Sequence, residues 1–274
     1  MTISQTEKGT RFRALHERAG AFIIPNPWDA GSARVLAALG FEALATTSAG
    51  FAFSLGRPDG AVSREEALAH CRDIVAASPL PVSADLEKCF GEAPEIVAET
   101  VRLAAEAGLA GCSVEDATGD QGKPIFDAGL AAERVAAAVE AARRLPFTFT
   151  LTARAENFLH GRADLDDTIR RLQSFEKAGA DVLYAPGLRD ISQVRTLCAS
   201  VGKPVNILAG AKGWRVSLAE LAAAGAKRIS VGGLLSRVAF GALLRAAHEM
   251  KEHGTFAFAE DAATHPEVTA FMKR

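Results

Sequence analysis

Two carboxylates stand two positions apart at the end of a short apolar run, Asp85 and Glu87 in PVSADLEKCFG, residues 81–91. Side chains alternate along an extended strand, so Ser83, Asp85 and Glu87 share one face while Val82, Ala84 and Leu86 share the other. Neighbouring carboxylates repel unless a cation, a shared proton or solvent lies between them. Two more acids occupy comparable places: Glu115 closes the run GCSVEDA, and Asp59 lies in the loop LGRPDG. Singly, each reads equally well as a helix cap or a solvated loop residue. Together, four oxygen-rich side chains delivered from separate segments suit a hard divalent ion, Mg²⁺ above all, which keeps several of its waters. Asp85, Asp59, Glu87 and Glu115 are therefore the candidate metal ligands. Arg154 ends a further apolar run, TFTLTARA. A guanidinium beside a bound cation can grip a carboxylate or phosphonate, which makes Arg154 the candidate for holding an anionic substrate.

Positioning these residues requires a scaffold that gathers segment ends. Eight apolar runs, at 21–26, 43–48, 81–87, 111–117, 148–155, 181–187, 204–210 and 228–233, alternate with amphipathic Ala-rich stretches. The spacing predicts helices over 29–39, 64–77, 94–107, 128–143, 164–178 and 218–224, several ending in Ala-Gly, where Gly supplies a left-handed cap. Strand–helix alternation with crossovers this long forces parallel pairing, and eight units predict a (β/α)₈ barrel. With 274 residues, 49% of them hydrophobic, and no linker in view, one barrel domain over 1–274 is expected. It would be preceded by an N-terminal helix and followed by an extra C-terminal helical segment. Barrels place chemistry at the carboxyl ends of their strands. That adds Thr47 and Ser48 after the second strand, and Glu156, Asn157 and His160 after the fifth. Tyr184 lies on the sixth strand and Asn206 on the seventh, where a buried amide needs partners and so should face the polar mouth.

Composition narrows the function classes. The net charge of −2 and pI near 6.3 come from mixed charges without a basic stripe, so nucleic acid is not an expected partner. No run of 18 apolar residues is present, so neither is a membrane, and a cytoplasmic location is expected. Cys71, Cys89, Cys112 and Cys198 lack zinc-site spacing and fit a reducing compartment; only Cys89 stands near the acids.

The ordered set TTSAGFAFSLGRPDG, VSADLE, SVEDATG, LTARAENF, LYAPGLRD, PVNILAG and ISVGG resembles the isocitrate lyase and phosphoenolpyruvate mutase superfamily over nearly the whole chain. The resemblance implies a Mg²⁺-dependent enzyme acting on α-oxo acids. Asp85 would bind the metal directly, with Asp59, Glu87 and Glu115 acting largely through its waters. Thr47, Ser48 and Ala49 would receive the substrate carboxylate, and Arg154 would reach the same molecule; Asn206, by its place on the polar mouth and not by the resemblance, is the further candidate for substrate binding. It further implies a homotetramer, a dimer of dimers, with helices at the C-terminal end exchanged between subunits. The lyases of this superfamily carry a KKCGH or KRCGH lid motif after the fourth strand. Here that loop reads TGDQGKPIFD, with neither Cys nor His, and Lys123 is its candidate contributor to the chemistry. Three activities follow as expectations: carbon–carbon cleavage of a small oxo or hydroxy di- or tricarboxylate through a pyruvate-like enolate, C–P chemistry on phosphonopyruvate or phosphoenolpyruvate, and non-catalytic binding of an α-oxo acid.

Overall fold

The computed structural model describes residues 3–273. Each apolar run contains a strand: β1 (Phe22–Ile24), β2 (Leu44–Ala45), β3 (Val82–Asp85), β4 (Gly111–Glu115), β5 (Thr150–Arg154), β6 (Val182–Tyr184), β7 (Val205–Leu208) and β8 (Arg228–Ser230). All pairs are parallel, in the order β1-β8-β7-β6-β5-β4-β3-β2. The remaining seam is drawn together by the Ala45 amide, which donates to the Pro25 carbonyl at 3.0 Å, so the barrel is nearly closed.

The outer layer comprises α1 (Gln5–Glu17), α2 (Ala30–Ala38), α3 (Ser48–Ser54), α4 (Arg64–Ala77), α5 (Pro94–Glu106), α6 (Ala128–Arg143), α7 (Leu165–Lys177), α8 (Ile191–Ala199), α9 (Leu218–Ala223), α10 (Leu234–His253) and α11 (His265–Met272). Asp29 caps α2 as a full capping box with Ser32. Sequence patterning misses α3 and α8, which are under ten residues long. The first of these opens on Thr47, whose hydroxyl accepts from the Gly50 amide at 3.2 Å. Position 50 admits only Gly there, because a Cβ would lie 2.6 Å from Thr47 Cγ2 and 2.9 Å from Trp28 Cβ.

At the amino end of the strands α1 plugs the barrel. Its Phe12 and Leu15 form a separate buried cluster with Phe22, Ile24, Ala43 and Ala110. One sector of the barrel differs from the rest. Ile23, the outward residue of β1, is 37% exposed, whereas outward Val82, Ala84 and Leu151 are sealed beneath helices. The helix that follows β8 does not cover that sector: α10 runs 20 residues with only Ser236 buried, and leaves Val238, Leu243 and Leu244 exposed. The chain then returns, with Arg34 of α2 donating to the Met272 carbonyl at 2.6 Å.

Candidate active site

The strand ends enclose a cavity of ≈ 170 Å³, enough for a small organic acid, and its charged lining residues are Asp59, Asp85, Arg154 and Arg228. Thr47, Ser48, Ala49 and Asn206 line the same cavity, so five segments predicted to meet do meet. Arg154 is the hub of the acid wall. Its Nη1 donates to Asp85 Oδ1 at 2.7 Å and its Nε to Glu156 Oε1 at 2.8 Å, while Nη2 lies 3.1 Å from Glu115 Oε2. Its guanidinium also stands 5.1 Å from the Tyr184 ring centroid. The other oxygen of Asp85 accepts from the Ser48 amide at 3.3 Å.

Glu156 is the residue that sequence reading placed near the site without assigning it a role. Only 3% exposed, it ties Arg154 to a deeper network, because its own amide donates to Asp116 Oδ1 at 2.8 Å and Asp116 Oδ2 accepts from Arg171 at 3.1 Å. Burial pushes the Asp116 carboxyl up to about 6, against the pull of the Glu156 amide and Arg171.

Negative charge on this wall exceeds positive. Burial, with Asp85 and Asp59 nearby, pushes the Glu87 carboxyl up to about 7; burial also raises Asp59, though the Ser48 hydroxyl opposes it. Burial lifts Glu115 well above the usual carboxylate range, opposed by Arg154 and reinforced by Glu156, Asp85 and Glu87. Such a set of hard oxygen donors with surplus negative charge fits a divalent cation. Among the described residues no three Asp, Glu, His or Cys side chains form a group that could hold an ion. These donors would suit an ion that keeps most of its waters, as Mg²⁺ does. Asp85 would be the direct ligand and Asp59, Glu87 and Glu115 would act through water, Glu87 lining a recess of ≈ 10 Å³ beside Asp85, about the room of one water.

The elevated Glu87 makes metal-free stability pH-dependent. A carboxyl raised in the folded state destabilises that state fully above about pH 7, and the penalty fades as pH falls toward its ordinary 4.5. Without metal, Glu87→Gln is thus expected to melt above the parent at pH 8 and to lose that advantage by about pH 5. Thermal melts at the two pH values check this; an identical difference at both would refute it.

The turn carrying Glu87 is held in an unusual conformation, with positive φ at Glu87 (51°), Cys89 (58°) and Phe90 (62°). Three non-Gly residues in this region are strained, and the surroundings must over-determine them. Arg134 of α6 does so. Fully buried, it donates to the carbonyls of Glu115 at 2.9 Å, Gly91 at 3.0 Å and Lys88, and lies over the Phe126 ring. Arg134→Met leaves three carbonyls without this donor and is expected to cost about 3 kcal/mol, roughly a 10 °C fall in melting temperature. A shift under about 1 °C in calorimetry would remove Arg134 from this role.

A family model described as phosphoenolpyruvate phosphomutase matches residues 12–251, most of the chain. This chain belongs to the isocitrate lyase and phosphoenolpyruvate mutase superfamily. A Burkholderia cenocepacia J2315 crystal structure, assigned provisionally as a lyase or mutase, is 58% identical with a TM-score of 0.96, covering 98% of this chain and 97% of that one. An oxaloacetate acetylhydrolase structure holding its product oxalate is 25% identical with a TM-score of 0.88, covering 98% and 94%. A probable 2-methylisocitrate lyase of Corynebacterium glutamicum is 29% identical over 210 residues, 74% of this chain and 67% of that protein.

The segment after β4, which departs from the superfamily's lid motif in sequence, is folded on itself here. Thr118 accepts from the Asp120 amide at 2.9 Å and donates to the Lys123 carbonyl at 2.6 Å, and Ala117 bridges Ile125. Lys88 donates to the Thr118 carbonyl, and Arg171 donates to the Phe126 carbonyl at 2.9 Å. Lys123 itself is exposed and does not line the cavity, because these bonds fold the segment into a pinned turn that directs it outward. His160 is likewise exposed and outside the lining. Cys89 lies fully buried in the core, where burial pushes its thiol up to about 12, so it is packing and not chemistry. Sequence reading missed Arg228 and Ser230 of β8 altogether, and both line the cavity.

Proposed function

We propose that this protein is a Mg²⁺-dependent lyase that cleaves a carbon–carbon bond in a small 2-oxo or 2-hydroxy di- or tricarboxylate through a pyruvate-like enolate. The observation that carries this reading is the acid wall of Asp59, Asp85, Glu87 and Glu115 gathered around Arg154 at the mouth of one small cavity. Bound Mg²⁺ would supply Lewis-acid stabilisation for the charge that develops on the oxo oxygen. The chain's own residues do the rest. Asp85 would turn to the cation, which frees the Ser48 amide at the start of α3 to donate to the substrate carboxylate together with the Thr47–Ala49 turn. Arg154, held on two other carboxylates, keeps its orientation and presents its remaining edge to the substrate. Leu159 and Pro186 add apolar lining to the cavity, which limits water around the reacting atoms. Superfamily membership and the likeness to an oxaloacetate acetylhydrolase support the reading.

A second reading, C–P bond chemistry on phosphonopyruvate or phosphoenolpyruvate, is favoured by one specific observation: residues 118–127 contain no Cys or His to serve as an acid–base group for carbon–carbon cleavage. Pyruvate release from a panel of 2-oxo and 2-hydroxy acids with Mg²⁺, set beside ³¹P spectra with phosphonopyruvate, separates the two. Metal-dependent binding without turnover of any acid would instead indicate a binding protein.

We also propose a dimer-of-dimers assembly in which a second copy covers α10. The exposed Val238, Leu243, Leu244 and Phe256 and the uncovered Ile23 make an apolar surface too large for a lone barrel. Light scattering is expected to give a mass near four times 28.8 kDa, and a strictly monomeric particle would overturn this. No helix among the described residues is long and apolar enough to cross a membrane.

A further inference from the structure

Beneath the acid wall lies a cation that the lyase reading does not use. Arg228, 5% exposed, starts β8 and lines the cavity. Buried charges are normally paired, yet among the described residues Arg228 forms no ion pair. Its Nε donates to Asn206 Oδ1 at 2.9 Å and an Nη2 hydrogen goes to Thr152 Oγ1 at 3.0 Å, both neutral acceptors, while buried Nη1 has no partner. The charge of the other guanidinium of the lining, Arg154, is compensated by Asp85, Glu115 and Glu156. Arg228 is therefore the uncompensated positive charge of the cavity.

A guanidinium only donates, so it dictates the direction of every bond beyond it. Asn206 must turn its carbonyl oxygen to Arg228, and its amide nitrogen then donates to Ser230 Oγ at 2.9 Å. With its oxygen accepting there, Ser230 keeps its own proton free to donate. Asn206 and Ser230 are thus polarised away from Arg228, and both line the cavity together with the phenol of Tyr184. One side of the cavity thus attracts a cation; the floor, positively charged and rich in donors, attracts an anion.

We infer that Arg228, acting through Asn206 and Ser230, makes the barrel floor a second anion subsite that selects substrates with a second anionic group beyond the 2-oxo carboxylate head, a small dicarboxylate foremost. This rests on the lyase reading and narrows it. Arg228 is a positioning and charge-setting residue, since its own N–H groups are turned to protein or buried.

The test compares oxaloacetate with 2-oxobutyrate, which share the head and differ by a carboxylate in place of a methyl group. Binding to the full-length protein with Mg²⁺ is read by rapid-mixing tryptophan fluorescence, before oxaloacetate decarboxylates. The parent protein is expected to favour oxaloacetate by about tenfold or more, and Arg228→Met to bring the two acids within about twofold while 2-oxobutyrate binding is retained. Asn206→Asp, which places a countercharge beside an intact Arg228, should abolish the preference in the same way and serves if Arg228→Met does not fold. A preference unchanged in the variants overturns the inference and leaves the lyase reading standing. Failure of the parent to bind either acid overturns both.

Discussion

Asp85→Ala is expected to lower metal-dependent turnover by at least about 10³-fold and to abolish measurable Mg²⁺ affinity, with the fold intact. The magnitude follows from what converges on this one carboxylate. Asp85 is the acid that lines both the main cavity and the water-sized recess holding Glu87, so it is the one placed to touch a cation while the others reach it through water. Deleting a direct ligand removes affinity and position together. The barrel should tolerate the loss, because β3 is anchored by its backbone ladder to β2 and β4, and the Asp85 amide by Thr46 Oγ1 at 2.9 Å. Arg154 keeps Glu115 and Glu156, and removing one of several like charges relieves Glu87 and Asp59. Melting temperature in the metal-free state is thus expected within a few degrees of the parent. Mg²⁺ titration by calorimetry decides the matter, and an unchanged affinity would reassign the direct ligand.

How far the sequence discloses this site depends on how each residue announces itself. Strand parity discloses much: Asp85 and Glu87 lie on one face with Ser83, and the apolar runs end where the chemistry collects. Parity also contained the signal for Glu156, two positions beyond Arg154 and on the same side, but no spacing rule says that an acid after a strand turns back onto its own Arg. Arg228 was hidden by its place at the start of a strand, where a charged residue ordinarily reads as a solvated flank. Its inward phase with Ser230, two residues on, was the available clue. Arg134 was disguised similarly, since a lone Arg in an Ala-rich helix reads as its polar face. Its spacing from Ala131, Val135, Ala138 and Ala142 places it instead in the buried stripe. The segment after β4 is legible only in part, since Gly119, Gly122 and Pro124 mark backbone freedom and restriction but not the long-range bonds that Lys88 and Arg171 make to it.

Arg154→Met is expected to have the largest effect on stability in the metal-free protein. The substitution keeps most of the side chain's volume and deletes the single guanidinium that compensates Asp85, Glu115 and Glu156, whose side chains are 21%, 13% and 3% exposed. Stranding buried charges by removing their partner costs about 3–5 kcal/mol. The pH dependence has a definite sign. Arg154 opposes the upward shift of Glu115, so its removal raises that carboxyl further, and the gap between variant and parent widens as pH rises through the parent's folded-state value, which already lies well above the ordinary 4.5. The variant should therefore fall further below the parent in alkaline solution and lie closest to it in acid. A divalent cation offers the same relief by another route. If the acid wall binds Mg²⁺, the ion should raise the melting temperature of Arg154→Met by more than it raises the parent's, because in the parent the guanidinium competes for the same oxygens. Restored stability without restored turnover would then separate the two tasks of Arg154, since Mg²⁺ can neutralise the carboxylates but cannot present a donor edge to the substrate. A loss below about 1 kcal/mol at pH 8, with no recovery in acid, would show that the three carboxylates are solvated or protonated without Arg154 and that it is not their counterion.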